Sequence, residues 1–313
     1  MSGDSSRGSF LSIIQSCDNF PYDAATEESY YKLFLPGDDQ PHGYLLRETV
    51  RKMPWTPLFR VARAPPRSRS VSVLDSSRGA DTAAAVTAAL AELVSLCVAG
   101  DLFHVLAGRH SEPVALASAL YPVQVERFAS ALLGVTLRGA HLVAYTRSPS
   151  SSSSSDNDDD DDDDDDEDED TKLWIARRAA HLYTYPGRLD ATASEEASPA
   201  GPLVRSRARS AGALTYVGAT GGRGVPGGEP GLAVPNVVYV YDAELPAGVE
   251  PRPRDDEVAG FALMRVREPD AGAVLVDFLV RHGFVTAEDE EHFVEINMRL
   301  HRRLPFRTAV PVS

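Results

Sequence analysis

The feature that most limits this chain is a run of serine and acid from Ser148 to Asp170, in which residues 156 to 170 alone hold fourteen Asp or Glu side chains. Such a run has nothing apolar to bury and its like charges repel, so it is predicted to stay disordered and outside any core. Whatever folds is built from the sequence on either side. The run also accounts for the formal charge of −15, because without it 32 acidic residues face 31 basic ones. The body is nearly neutral, and its acidity does not argue against a phosphorylated ligand. No Gly-punctuated calcium-loop spacing occurs in the run, which favours a low-complexity insert over a cation store or a docking site for a basic partner.

At 313 residues the chain exceeds the usual size of a single core, and a hydrophobic fraction of 43% is ordinary for a globular protein. Two domains are expected, over 1–134 and 135–313. In the first, Phe10, Leu11, Ile13 and Ile14 recur at helical spacing. Tyr30 to Leu35 and Gly43 to Leu46 read as strands around the turn-forming Pro36-Gly37-Asp38-Asp39. Ala83 to Ala99 is rich in helix formers and stops at Gly100. Leu102 to Leu106 is then expected as a strand and Val123 to Leu133 as a helix.

Beyond the insert, Leu173 to Ala176 is expected as a strand beside Ala140 to Thr146, which makes the acidic run a long loop between neighbouring strands. Gly212 to Val217, Val237 to Tyr241 and Phe261 to Met264 complete the strand candidates. Gly222, Gly224 and Gly227 match a dinucleotide fingerprint by letters only. That fingerprint needs a helix opening at its third glycine, whereas Pro226, Pro230 and Pro235 surround the site and a strand follows, so a hairpin loop is expected. Ala273 to His282 reads as a helix stopped by Gly283, and Thr286 with Asp289 resembles a capping box for a helix reaching about Arg303. Arg299, Arg302 and Arg303 are expected to complement that helix's last carbonyls, with His282 and His301 at helix ends or the surface.

Trp174, Ile175, Arg177 and Arg178, then Tyr185-Pro186-Gly187 and Leu189-Asp190, resemble the first half of a Nudix hydrolase domain. More narrowly they are similar to the Nudix group related to thiamine pyrophosphokinase, whose members carry an extra N-terminal domain. Further matches lie at Cys17 to Tyr22, Glu126 to Ala129, Leu133 to Val135, Gly139 to His141, Tyr239 to Leu245, Val276 to Gly283 and Arg299 to Arg302. The resemblance implies an α+β chain, with a small α+β domain followed by a Nudix-like α/β/α sandwich that has a mixed sheet and C-terminal helices over 273–303.

Nudix chemistry rests on a box, G-x5-E-x7-R-E-U-x-E-E-x-G-U, in which a helix carries three glutamates at i, i+3 and i+4 on one face. Their hard oxygen ligands suit Mg²⁺ or Mn²⁺ bridged to substrate phosphates. Here Glu195 and Glu196 read as the tail of the box, but counting back places Ala191, Thr192, Tyr183 and Arg177 where the Arg, two Glu and Gly belong. A second loss precedes Ala273. Two internal losses with intact flanks leave two readings open, skipped coding sequence or a protein that has lost catalysis. The resemblance implies Glu195, Glu196 and Glu257 as metal ligands, Glu196 as catalytic base, and Arg177 and Arg178 as contacts to a small-molecule diphosphate. It implies hydrolysis of an organic diphosphate such as an oxidised thiamine diphosphate, impaired here. The alternatives are a non-catalytic Nudix-like binding protein and a hydrolase of oxidised nucleoside phosphates.

Two cysteines, Cys17 and Cys97, form no metal-ligand spacing and suit a reducing compartment. The polar start and the lack of any apolar stretch near the ~20 residues of a membrane span make the cytoplasm the expected location. No basic stripe with interleaved aromatics points to nucleic acid. Gly-x-Ser-x-Gly, His-Glu-x-x-His and Gly-x-x-x-x-Gly-Lys-Ser/Thr motifs are absent from the sequence.

Overall fold

A computed structural model describes residues 9–63, 69–108, 112–147, 171–183, 185–192, 206–221, 228–253, 255–266 and 272–308. The acidic run, the Gly222 to Gly227 letters and the Glu195-Glu196 pair lie outside these residues. The content is α+β with several sheets, one of them mixed in direction. Two compact units emerge. One holds Ser16–Gly139, Thr215–Val237 and His301–Ser313, and the other holds Met1–Gln15, Ala140–Leu214 and Val238–Leu300. The chain crosses between them at 15/16, 139/140, 214/215, 237/238 and 300/301.

In that unit, β1 (Tyr31–Phe34), β2 (Gly43–Leu45), β3 (Phe59–Ala62) and β4 (Ser70–Val73) form a sheet in the order β2-β1-β4-β3, with β1 and β4 parallel. Helix α4 (Thr82–Ala99) follows α1 (Leu11–Cys17), α2 (Ala24–Ser29) and α3 (Arg47–Lys52). Asp81 opens α4 by accepting a bond from the Ala84 N–H at 3.0 Å, the usual device for satisfying a first-turn donor. Val86, Ala89, Leu90, Leu93 and Cys97 recur at helical spacing and are buried with Leu33, Leu45 and Val71. By length and composition alone α4 could cross a membrane, contrary to the sequence expectation, yet this inward face is packed in a core.

Two expectations fail here for traceable reasons. Leu102 to Leu106 is not a strand but ends in a 3-10 turn over His104–Leu106. Its free backbone donors are taken by a side chain, since the Glu229 carboxylate accepts from the N–H of His104 at 2.7 Å and of Val105 at 3.5 Å. Val123 to Leu133 is not one helix. Its first part is β6 (Gln124–Glu126), paired with β5 (Pro113–Ala115), and the helix α5 spans only Ala129–Leu133. At the switch the Glu126 carboxylate accepts from the Ala129 N–H at 2.9 Å and so satisfies a first-turn donor that the N-cap residue Phe128 leaves open.

The other unit is organised on strands of the sheet β10-β11-β7-β8-β12, with β9 attached to β8, and it holds β10 up to Leu214 and β11 from Val238. These strands are β7 (Leu137–Arg147), β8 (Thr171–Arg178), β9 (Leu189–Asp190), β10 (Arg209–Ala219), β11 (Ala233–Glu244) and β12 (Val258–Arg265). β7 and β8 pair antiparallel with Ala144 opposite Trp174, as expected of the strands flanking the acidic insert. Helix α6 (Ala273–Arg281) buries Leu275, Val276, Phe278 and Leu279, and the Phe278 ring lies 5.4 Å from that of Tyr145 on β7. Arg281 fastens the helix end, reaching Asp277 at 2.7 Å and Asp242 on β11 at 2.6 Å, while His282 Nε2 meets Asp242 at 2.9 Å.

The last helix, α7, covers only Phe293–Leu300 rather than starting at Thr286. Thr286 donates its hydroxyl to the Asp289 carboxylate instead of capping a backbone N–H. Glu290 is turned to Ser9 Oγ at 2.9 Å and the Phe10 N–H at 3.2 Å, which holds 286–290 as a turn. Arg302 is not at a helix end facing carbonyls of its own helix. It is buried in the first-described unit against Asp18.

Candidate functional site

Strand β8 supplies the frame for the residues singled out in the sequence. Successive side chains of a strand point to opposite faces, so Trp174, Ala176 and Arg178 share one face and Arg177 takes the other. Ala176 is opposite Asp190 on β9 and opposite Phe261 on β12. Trp174, Ala176, Arg178, Asp190 and Phe261 thus form one patch, apolar at one end and charged at the other. At the apolar end Trp174 is buried with Leu142, Ala144, Ala243 and Leu245, with Tyr241 and Phe261 partly covered beside it. Its indole Nε1 is buried and has no hydrogen-bond partner among the described residues.

At the charged end Arg178 Nη1 donates to Asp190 Oδ2 at 3.1 Å, and His141 Nδ1 lies 4.0 Å from Asp190 Oδ1. The two partners of the ion pair are 24% and 33% exposed, so the pair is held half-buried at the edge of the sheet. The loop that returns the chain to β9 is built by Tyr185-Pro186-Gly187. The Arg188 N–H bonds the Tyr185 carbonyl at 3.3 Å, and Gly187 has φ 69°. Proline followed by a glycine of positive φ is the order that a type II turn requires. Arg177, exposed on the opposite face, donates to the Gly187 carbonyl at 3.0 Å and braces that turn.

Glu257 stands at the start of β12. Its carbonyl accepts from the Ala179 N–H at 2.8 Å, and Val258 is opposite Arg178, so Glu257 and Arg178 reach the same end of the ladder. The Glu257 side chain is exposed, as are those of Asp255 and Asp256, and Asp256 lies 3.5 Å from His181 Nε2. Glu195 and Glu196, the other expected metal ligands, fall outside the described residues. Among the described residues no three His, Cys, Asp or Glu side chains are grouped to hold a metal ion. Glu257 with its exposed neighbours does not by itself fit Mg²⁺ or Mn²⁺, whose sites need converging oxygen ligands.

Beyond β9, Thr192 is tied to β7 and β8. Its buried hydroxyl donates to the Trp174 carbonyl and accepts from the Ala144 N–H at 3.2 Å. Sequence reasoning does not single out Asp190, His141 or Trp174 as site residues. Asp190 and His141 lie inside the matched Leu189-Asp190 and Gly139 to His141 segments, which is the one signal pointing to them.

No family model matches the chain. In a 217-position alignment that covers 59% of this chain it is 29% identical to an uncharacterized protein of Saccharomyces cerevisiae, of which the match covers 58%. It is 26% identical to Nudix hydrolase 20, chloroplastic, of Arabidopsis thaliana over 160 residues, and 26% identical to Nudix hydrolase 24, chloroplastic, of the same plant over 161 residues. Each plant match covers 42% of this chain and 40% of the relative. These matches support a Nudix-like relationship. The chain spans less than two thirds of the length of each of these relatives.

Proposed function

We propose that this chain binds a small organic diphosphate on the Trp174 to Arg178 face of β8, as an impaired Nudix-type diphosphohydrolase of the group related to thiamine pyrophosphokinase. The observation that carries the reading is one strand face on which a guanidinium held by a carboxylate lies beside an aromatic and aliphatic patch. Arg178 would take phosphate oxygens through its planar fork, while the partly exposed Tyr241 and Phe261 would cover an organic ring. An oxidised thiamine diphosphate is the preferred ligand, and an oxidised nucleoside phosphate is the second candidate.

Mg²⁺ or Mn²⁺, when bound, supplies charge neutralisation and an activated water in such hydrolysis. Glu195 and Glu196 with Glu257 are its proposed ligands, with Glu196 as base. The sequence keeps too little of the box for a full clamp, so the expected activity is weak or absent and ligand binding outlasts it. The cytoplasm is the proposed location.

The test is incubation of the purified chain with oxothiamine diphosphate and Mg²⁺, scoring phosphate release against Glu196→Gln, with binding followed by calorimetry. Release that Glu196→Gln abolishes supports a hydrolase. Binding without release supports the non-catalytic reading, and neither binding nor release removes both.

A further inference from the structure

A buried charged cluster in the unit containing β1 and β2 is used by none of the chemistry above. Asp38 and His42 lie between β1 and β2, Ser118 lies between β5 and β6, and Arg307 comes from the C-terminal segment. His42 Nδ1 is 2.9 Å from Ser118 Oγ. His42 Nε2 is 3.2 Å from Asp38 Oδ2, with the two side chains only 1% and 2% exposed. The other carboxylate oxygen of Asp38 accepts from Arg307 Nη2 and, at 3.0 Å, from the Gln40 N–H. The neighbouring ionisable groups are spent on backbone, Arg138 on the carbonyls of Ala117 and Thr308 and Tyr121 on that of Pro36.

This arrangement presents one buried carboxylate to two potential cations. A buried anion can neutralise one of them, and a second unpaired positive charge in the same interior is costly. With His42 neutral, Asp38 and Arg307 balance. With His42 protonated, Asp38 is shared and one cation is in excess. The two cations differ in their freedom to leave. His42 is inaccessible and its backbone N–H is bonded to the Leu33 carbonyl at 2.8 Å, whereas the Arg307 side chain is 24% exposed.

We propose that Asp38, His42 and Arg307 form an acid-released latch, in which protonated His42 displaces Arg307 from Asp38 and frees the C-terminal segment from the β1–β2 turn. Departure of Arg307 leaves a neutral pair of Asp38 and protonated His42. It also loosens Phe306, whose ring sits edge-on to Tyr44 at 4.7 Å, and the Thr308 carbonyl held by Arg138. Burial lowers the pKa of His42 and Arg307 lowers it further, outweighing the pull of Asp38, so the closed latch holds His42 neutral near pH 7. The closed form binds fewer protons than the open one. Its advantage is therefore complete above the open-state histidine pKa and shrinks by up to about tenfold per pH unit below it.

Hydrogen exchange on the full chain at about pH 7.5 and about pH 5, corrected for intrinsic exchange, tests this across the histidine range. Amides of Phe306, Arg307 and Thr308 should lose protection at the lower pH while those of α4 keep theirs. His42→Gln should keep the segment protected at both values, and Arg307→Gln should leave it open at both. Equal protection of the native chain at the two pH values would overturn the latch. Parallel loss in α4, acid release that survives in His42→Gln, or native-like protection in Arg307→Gln would do the same.

Discussion

Arg302 and Asp18, 284 positions apart, meet at 3.0 Å in the interior of one compact unit. The pair is fully engaged. Asp18 also accepts from the Val217 N–H at 3.0 Å and from the Tyr22 hydroxyl, while Arg302 donates to the carbonyls of Phe20 at 2.7 Å and Pro21 at 3.0 Å. The Tyr22 ring covers the guanidinium at 3.8 Å. Removing one partner strands the other charge away from water, so Arg302→Met and Asp18→Asn are each expected to cost about 3–5 kcal/mol. The double variant should cost clearly less than their sum. Urea unfolding of the four proteins measures the cycle, and simple additivity would show that the pair is not coupled.

Gly134 ends α5 with φ 61°, and a Cβ there would overlap the Tyr44 carbonyl. Left-handed backbone alone costs an L-residue about 1–2 kcal/mol, and the overlap with a rigid strand adds to it. Gly37 offers the control, since it has φ 75° with nothing within 4 Å of an added methyl group. Gly134→Ala should therefore destabilise clearly more than Gly37→Ala in thermal unfolding. Equal losses would mean that the close approach of α5 to β2 does not matter.

These two sites show what a sequence can and cannot disclose. Leu133-Gly134-Val135 and the terminal segments Cys17 to Tyr22 and Arg299 to Arg302 are conspicuous as matched letters, but nothing local in them specifies a partner. Arg302 reads as a helix-end cation because only its own helix is visible in sequence. α4 and the strands β7, β8, β11 and β12 are readable because period and flanking breakers agree with the packing. Leu102 to Leu106 misleads because Glu229, 125 positions from His104, takes the backbone donors that a strand would use. At the site, the sequence reading groups Arg177 with Arg178, and only the strand's pairing and the fold of the Tyr185 to Gly187 turn put Arg177 on the Gly187 carbonyl and Arg178 on Asp190.

Asp75 predicts an acid dependence of the α4 entrance. Its carboxylate accepts from the Ser77 hydroxyl at 2.5 Å, the Thr82 hydroxyl at 2.7 Å, and the N–H groups of Ser77 at 2.8 Å and Gly79 at 2.9 Å. The hydroxyl bonds, from Ser77 and then Thr82, are the main reason its pKa falls to about 2. A depressed carboxylate contributes stability that is complete above its unfolded value, near 4, and is lost as pH falls toward about 2. Helicity followed by circular dichroism should show the native chain losing stability across that window, and Asp75→Asn should flatten the loss. An unchanged slope in the variant would refute the assignment.

Arg178 and Arg177 separate the proposed ligand site from its scaffold. Both are arginines at the end of β8, yet only Arg178 shares the face of Trp174 and Asp190, while Arg177 is bound to the Gly187 carbonyl. A lost charge-assisted contact to a phosphate is worth roughly 1.5–3 kcal/mol, which is on the order of tenfold or more in affinity. Arg178→Met should weaken binding of oxothiamine diphosphate by at least that factor in calorimetry. Arg177→Met, which removes a brace to the turn, should change affinity by no more than about threefold and act mainly on stability, since it takes no charge-assisted contact from the ligand. The opposite ranking, with Arg177→Met the weaker binder, would place the diphosphate on the other face of the sheet.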